Sequence, residues 1–103
     1  FSLFPAALRD LALVVEAGRH AEDVRTQLVK AAKAATQGAP FTVESVQVFD
    51  VYQGKGLPEG RKSLAFSLSF RSAERTLTDD EVNAVFAKIQ QAVTADGSMT
   101  VRS

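Results

Sequence analysis

Cysteine is absent from the 103-residue chain and histidine occurs once, at His20. The first absence removes disulfide frameworks, thiolate metal sites and cysteine catalysis, and the second removes any multi-histidine metal centre. No apolar run approaches the roughly 20 residues that a membrane helix needs. The start, Phe1-Ser2-Leu3-Phe4-Pro5, lacks the charged and apolar regions of a signal peptide, so the expectation is a soluble chain. Net charge is missing as well. Lys plus Arg number 12 and Asp plus Glu number 12, so the chain lacks the basic balance of many nucleic-acid binders, and any cationic surface must be local. There is no starting Met, and the only Met is Met99, so the chain reads as a piece of a longer protein. What is present suits one domain over residues 1–103, with 1–8 as a lead-in: 46% of residues are hydrophobic and 23% charged, near globular averages. There is no internal repeat and no low-complexity tract.

Arg9 to Ala17 holds five consecutive apolar residues, Leu11 to Val15, between Pro5 and Gly18, which reads as a buried strand of undetermined inward phase. From Ala21 to Ala35, Val24, Leu28, Ala31, Ala32 and Ala35 recur at helical spacing. Glu22 and Asp23 open the segment, Lys30 and Lys33 close it, and Gly38 and Pro40 stop it, in keeping with the helix dipole. Phe41 to Tyr52 alternates, Gln53 to Gly60 is a Gly- and Pro-rich loop, and a second alternating arm follows. In that arm Leu64, Phe66, Leu68 and Phe70 share one side, while Ser63, Ala65, Ser67, Ser69 and Arg71 share the other, so the bulky side faces the core. Thr78-Asp79-Asp80-Glu81 is a capping box, with Leu77 and Val82 placed as a hydrophobic staple. Val82, Val85, Phe86, Ile89 and Val93 then form one helical stripe up to Gly97, and Ser98 to Arg102 alternates as a short last strand.

The order β-α-β-β-α-β predicts an α+β, ferredoxin-like sandwich, the topology of RNA-recognition motifs: a four-stranded antiparallel sheet with two helices on one face. The other face is left to solvent or a partner.

Little here suits catalysis. His20 reads as a solvated residue at a helix start, and the acid pairs Glu22-Asp23 and Asp79-Asp80 serve helix dipoles. Gly54-Lys55-Gly56 lacks the phosphate-loop spacing and leads into a strand. Charge placement says more. Residues 53–75 carry Lys55, Arg61, Lys62, Arg71 and Arg75 against Glu59 and Glu74, a local +3, while residues 1–52 carry −1 and 76–103 carry −2. A basic hairpin beside a small-residue face of Ser63, Ala65, Ser67 and Ser69 is a plausible seat for a polyanion, since a backbone or base can approach closely there. Lys62-Ser63-Leu64-Ala65-Phe66 fits the aromatic signature of RNA-recognition motifs only in part. Parity opposes it, because exposing Phe66 would bury three serines. Continuing the phase with Val46 and Val48 inward turns Ser45, Gln47, Phe49 and Val51 outward, unless a bulge near Asp50 returns Phe49 to the core. Tyr52 stands at the hairpin mouth.

Pro5 with Arg9-Asp10, then Val48-Phe49-Asp50-Val51-Tyr52-x-Gly54, Leu57-Pro58-x-Gly60-x-Lys62-Ser63-Leu64-Ala65-Phe66 and Glu74-Arg75-Thr76-Leu77-Thr78-Asp79-x-Glu81-Val82 together resemble the ferredoxin-fold anticodon-binding domain. The bacterial form of that domain ends the phenylalanyl-tRNA synthetase β subunit, and the likeness covers nearly the whole chain in order. The resemblance implies a noncatalytic module that holds the anticodon region of tRNA(Phe). It further implies a cytoplasmic α2β2 enzyme whose α subunit uses ATP and Mg2+, with no cofactor in this domain, and partners in the rest of the β subunit and the α subunit. The isolated domain is expected to be monomeric and away from membranes. The expected RNA site joins Arg9, Lys55, Arg61, Lys62 and Arg71 as phosphate or sugar contacts, Ser63, Ala65 and Ser67 as the floor, and Phe49 or Tyr52 as a stacking surface. Two other classes fit the same topology: an ACT-like regulatory domain that binds a small molecule, and a purely structural packing module.

Overall fold

A computed structural model describes residues 4–102. Its elements run β1 (Ala7–Glu16), α1 (Ala21–Ala35), β2 (Thr42–Tyr52), β3 (Arg61–Arg71), α2 (Asp79–Thr94) and β4 (Thr100–Val101). The four strands form one sheet in the order β2-β3-β1-β4, with every pairing antiparallel. This is the ferredoxin-like α+β fold expected from the element order.

The core follows from the parity of β3. Leu64, Phe66, Leu68 and Phe70 are all fully buried, and they meet Val24, Leu28 and Ala32 from α1 and Val82, Val85, Ile89 and Val93 from α2. The register also settles the phase of β1. Leu11 pairs with Phe66 and Leu13 with Leu64, so Leu11, Leu13 and Val15 face the helices, and Ala12 and Val14 face the open side. The strand begins at Ala7, inside the stretch that the sequence suggested was lead-in, because Ala7 and Leu8 pair with Phe70 and Ser69. β4 is shorter than its alternation implied, only Thr100 and Val101, although Met99 just before it is buried.

α2 starts as its capping box dictates. The Glu81 backbone N–H donates to Thr78 Oγ1 at 3.3 Å, and the Thr78 N–H donates to Glu81 Oε1 at 2.8 Å. Arg75 adds a two-pronged grip on the same carboxylate, its Nη2 lying 2.8 Å from Oε2. This hydrogen bond, together with that from the Thr78 N–H, holds the Glu81 carboxyl down to about 2 and pushes the Arg75 guanidinium up.

β2 lies at an edge and is irregular at two points. The register shifts between Val43 and Ser45 and again between Val48 and Asp50, which marks a bulge at Glu44 and another at Phe49. On the outer edge, Arg25 of α1 donates through Nη1 to the Val46 carbonyl at 3.3 Å.

Candidate nucleic-acid interface

The open face is built by the odd residues of β3 and the partners that the register sets beside them. Ser63 lies between Tyr52 and Val14, Ala65 between Asp50 and Ala12, and Ser67 between Gln47 and Asp10. Small side chains down the middle strand give a low floor with taller groups on either side. Ser63 is only 3% exposed, while Ala65 and Ser67 are half-buried.

The second bulge decides what stands on that face. Before it, Val48 shares the helix side with Phe66. After it, Asp50 pairs with Ala65 and Tyr52 with Ser63 on the open side, while Val51 pairs with Leu64 on the helix side. The extra residue therefore reverses the expected outward turn of Val51 and brings Asp50 onto the open face. The bulge does not return Phe49 to the core, for Phe49 stays 58% exposed. Tyr52 is fixed by its hydroxyl, which donates to the Lys55 carbonyl at 2.7 Å. Gly54 permits the turn between them: its φ of +132° suits glycine, and a Cβ there would stand 3.6 Å from the Tyr52 hydroxyl.

The cations divide. Arg61 lies on the open side at the Tyr52 end, opposite Glu16, with Nη1 donating to the Ser98 carbonyl at 3.4 Å. Lys55 is exposed in the adjoining loop. Three expected members do not join them. Arg9 pairs with Leu68 on the helix side, where its Nε donates to Asn83 Oδ1 at 3.1 Å and its Nη2 meets Asp79 Oδ1 at 3.4 Å. The apolar parity that buries Leu11 and Leu13 carries Arg9 the same way. Lys62 has the parity of Leu64 and sits beside Val15, away from the floor. Arg71 is on the open side but at the far end of β3, about 33 Å from Arg61 at strand rise. There its Nε meets Glu44 Oε2 at 3.1 Å and its Nη1 donates to the Phe4 carbonyl at 3.1 Å. With Arg75 held by Glu81, two of the five cations behind the +3 are neutralised in place.

Sequence reasoning missed two residues. One is Asp50, an exposed carboxylate beside Tyr52 that only the bulge brings to this face. The other is Arg102, whose N–H donates to the Ala12 carbonyl at 2.8 Å and whose Cζ lies 4.8 Å from the centre of the Tyr52 ring. Its signal was present: with Met99 and Val101 inward, Thr100 and Arg102 turn outward. The loop that delivers it is held by Asp96, which accepts from the Ser98 N–H at 2.9 Å and the Ser98 hydroxyl at 2.7 Å, bonds that lower its carboxyl pKa. One end of the open face thus assembles Asp50, Tyr52, Arg61, Ser63 and Arg102, with Lys55 at its rim. Among the described residues no three His, Cys, Asp or Glu side chains are grouped to hold a metal, and no helix is long and apolar enough to cross a membrane.

A family model described as the ferredoxin-fold anticodon binding domain matches residues 2–102. The chain belongs to this family. Among curated relatives, the phenylalanine–tRNA ligase β subunit of Corynebacterium glutamicum is 50% identical over 91 residues, covering 88% of this chain and 10% of that protein. The β subunit of the same ligase from Corynebacterium efficiens is 50% identical over 82 residues, 80% of this chain and 9% of its own length. That of Thermosynechococcus vestitus is 38% identical over 103 residues, 100% of this chain and 12% of its own. The chain therefore spans about a tenth of the length of these relatives. As an anticodon-binding fold, it carries the small-residue floor on the sheet face that its helices leave uncovered.

Proposed function

We propose that this domain is the noncatalytic anticodon-holding module of a phenylalanine–tRNA ligase β subunit, and that the Tyr52 end of its open face grips the anticodon loop of tRNA(Phe). The observation that carries this reading is the placement of an aromatic ring, a carboxylate and two arginines around a serine and alanine floor. Single-stranded loops are recognised through such sets: bases stack on aromatic rings, cations take phosphates, and polar groups read base edges. Tyr52 supplies the ring, with Phe49 at the rim. Lys55 and Arg61 take phosphate or sugar. The Asp50 carboxylate accepts from the amino or imino donors of a base, and Ala65 and Ser67 let the strand come close. The resemblance further supports ATP- and Mg2+-dependent chemistry in a separate α subunit, an α2β2 assembly and a cytoplasmic setting.

Titrating the 103-residue chain with an RNA hairpin carrying the tRNA(Phe) anticodon loop, at several salt concentrations, tests the reading. Phosphate contacts from Lys55, Arg61 and Arg102 give a log–log slope of roughly −2 to −3, at about −0.7 to −0.9 per contact. Binding that ignores salt, or that is equal for an unrelated hairpin, would overturn it.

A further inference from the structure

Tyr52 and Arg102 come from opposite edges of the sheet. Tyr52 ends β2 at one edge, Arg102 follows β4 at the other, and β3 and β1 run between them. The two side chains nevertheless meet above those strands, with the guanidinium 4.8 Å from the ring centre. Ser63, beside Tyr52 in the register, is buried at this end of the open face, as Ser69 is beside Glu44 and Arg71 at the other. Both ends of the strap are fixed, Tyr52 through its hydroxyl on the Lys55 carbonyl and Arg102 through its N–H on the Ala12 carbonyl. Between them only the flexible stem of the arginine is free to swing.

A guanidinium is planar, weakly hydrated and stacks on aromatic faces, and it lies over the ring face that a nucleobase would use. We propose that Arg102 is a displaceable lid on Tyr52: it keeps the base's place in the free domain, and an arriving base exchanges with it while its charge moves to a phosphate nearby. This rests on the reading of the open face as an RNA site. The magnitudes allow the exchange. An exposed cation–π contact is worth about two- to five-fold in an equilibrium, whereas stacking a base on an aromatic ring is worth about five- to 150-fold. The lid therefore yields to RNA but resists weak stacking partners.

The test compares the wild-type chain, Arg102→Ala and Tyr52→Leu, each first checked for an unchanged melting temperature. Tyr52 is the only tyrosine, and tryptophan is absent, so intrinsic fluorescence and tyrosine ring resonances report this site alone. In the absence of RNA, Arg102→Ala shifts both signals; unchanged signals would overturn the lid. On binding the anticodon-loop hairpin, Arg102→Ala loses about one phosphate contact, so its salt slope is shallower by roughly 0.7 to 0.9. Near roughly 1 M salt, where charges are screened within about 3 Å, it binds about two- to five-fold more tightly than wild type, because nothing has to be displaced. Affinity weaker than wild type at every salt would instead make Arg102 a plain contact and overturn the lid. Tyr52→Leu separates the two claims: if it binds RNA as well as wild type, the stacking platform itself fails, whatever Arg102 does.

Discussion

The two sides of β3 share one backbone and one set of cross-strand partners, yet they do different work. On the helix side four large apolar residues, Leu64, Phe66, Leu68 and Phe70, have no exposure. On the other side β3 keeps large groups only at its two ends, Arg61 and Arg71, and between them carries Ser63, Ala65, Ser67 and Ser69. Between those ends the strand gives its bulk to stability and leaves its second face low, so that what stands over Ser63, Ala65 and Ser67 is set by β2, β1 and the residue after β4. The open face is thereby uncoupled from the core: side chains on it can change without disturbing packing.

Substitutions on each side can break this comparison. Phe66→Ala should cost about 3–5 kcal/mol, seen as a large loss of melting temperature, whereas Ser67→Ala should stay within about 0.5 kcal/mol. Comparable losses from both would remove the distinction. Thr78→Ala should cost about 1 kcal/mol through the lost cap and leave RNA affinity alone, as measured by urea unfolding beside a titration. The Arg75–Glu81 grip carries a pH signature. The Glu81 carboxyl is held down to about 2 in the folded chain from an ordinary 4.5, so its contribution is complete above about pH 4.5 and fades as pH falls towards 2. The gap in melting temperature between wild type and Glu81→Gln should close over that window, and a gap independent of pH would remove the link to Glu81. The smallest effects separate the cations. Arg61→Ala should make the salt slope of RNA binding shallower by about 0.7 to 0.9, while Arg9→Ala and Arg71→Ala leave it unchanged.

How much of this was legible before the structure depended on the range of the interaction. The bounds of α1, the capping box and the inward face of β3 depend on neighbours within a few residues, and all three appear in the sequence as periodicity or as a cap. The phase of β1 was hidden because Leu11 to Val15 is apolar on both parities, and Arg9 was misplaced with it. The alternation of β2 admits a bulge near Asp50 but does not show its effect, which is to move Asp50 and Val51 and leave Phe49 exposed. Counting charge along residues 53–75 locates a basic hairpin without showing that Glu44 and Glu81, which lie outside that segment, neutralise part of it. Arg102 fell within a segment of net −2, so arithmetic passed over it where strand alternation would have kept it.

The irregular outer strand has a consequence apart from recognition. β2 is 11 residues long and, among the described residues, has no strand beside it on one side, the kind of edge onto which another chain's strand can add. Its two bulges break it into short regular lengths, and Arg25 occupies the Val46 carbonyl that an incoming amide would seek. The residue that turns Asp50 toward the open face also interrupts the template for edge-to-edge aggregation, so one irregularity both sets what that face displays and helps keep the chain from polymerising with itself.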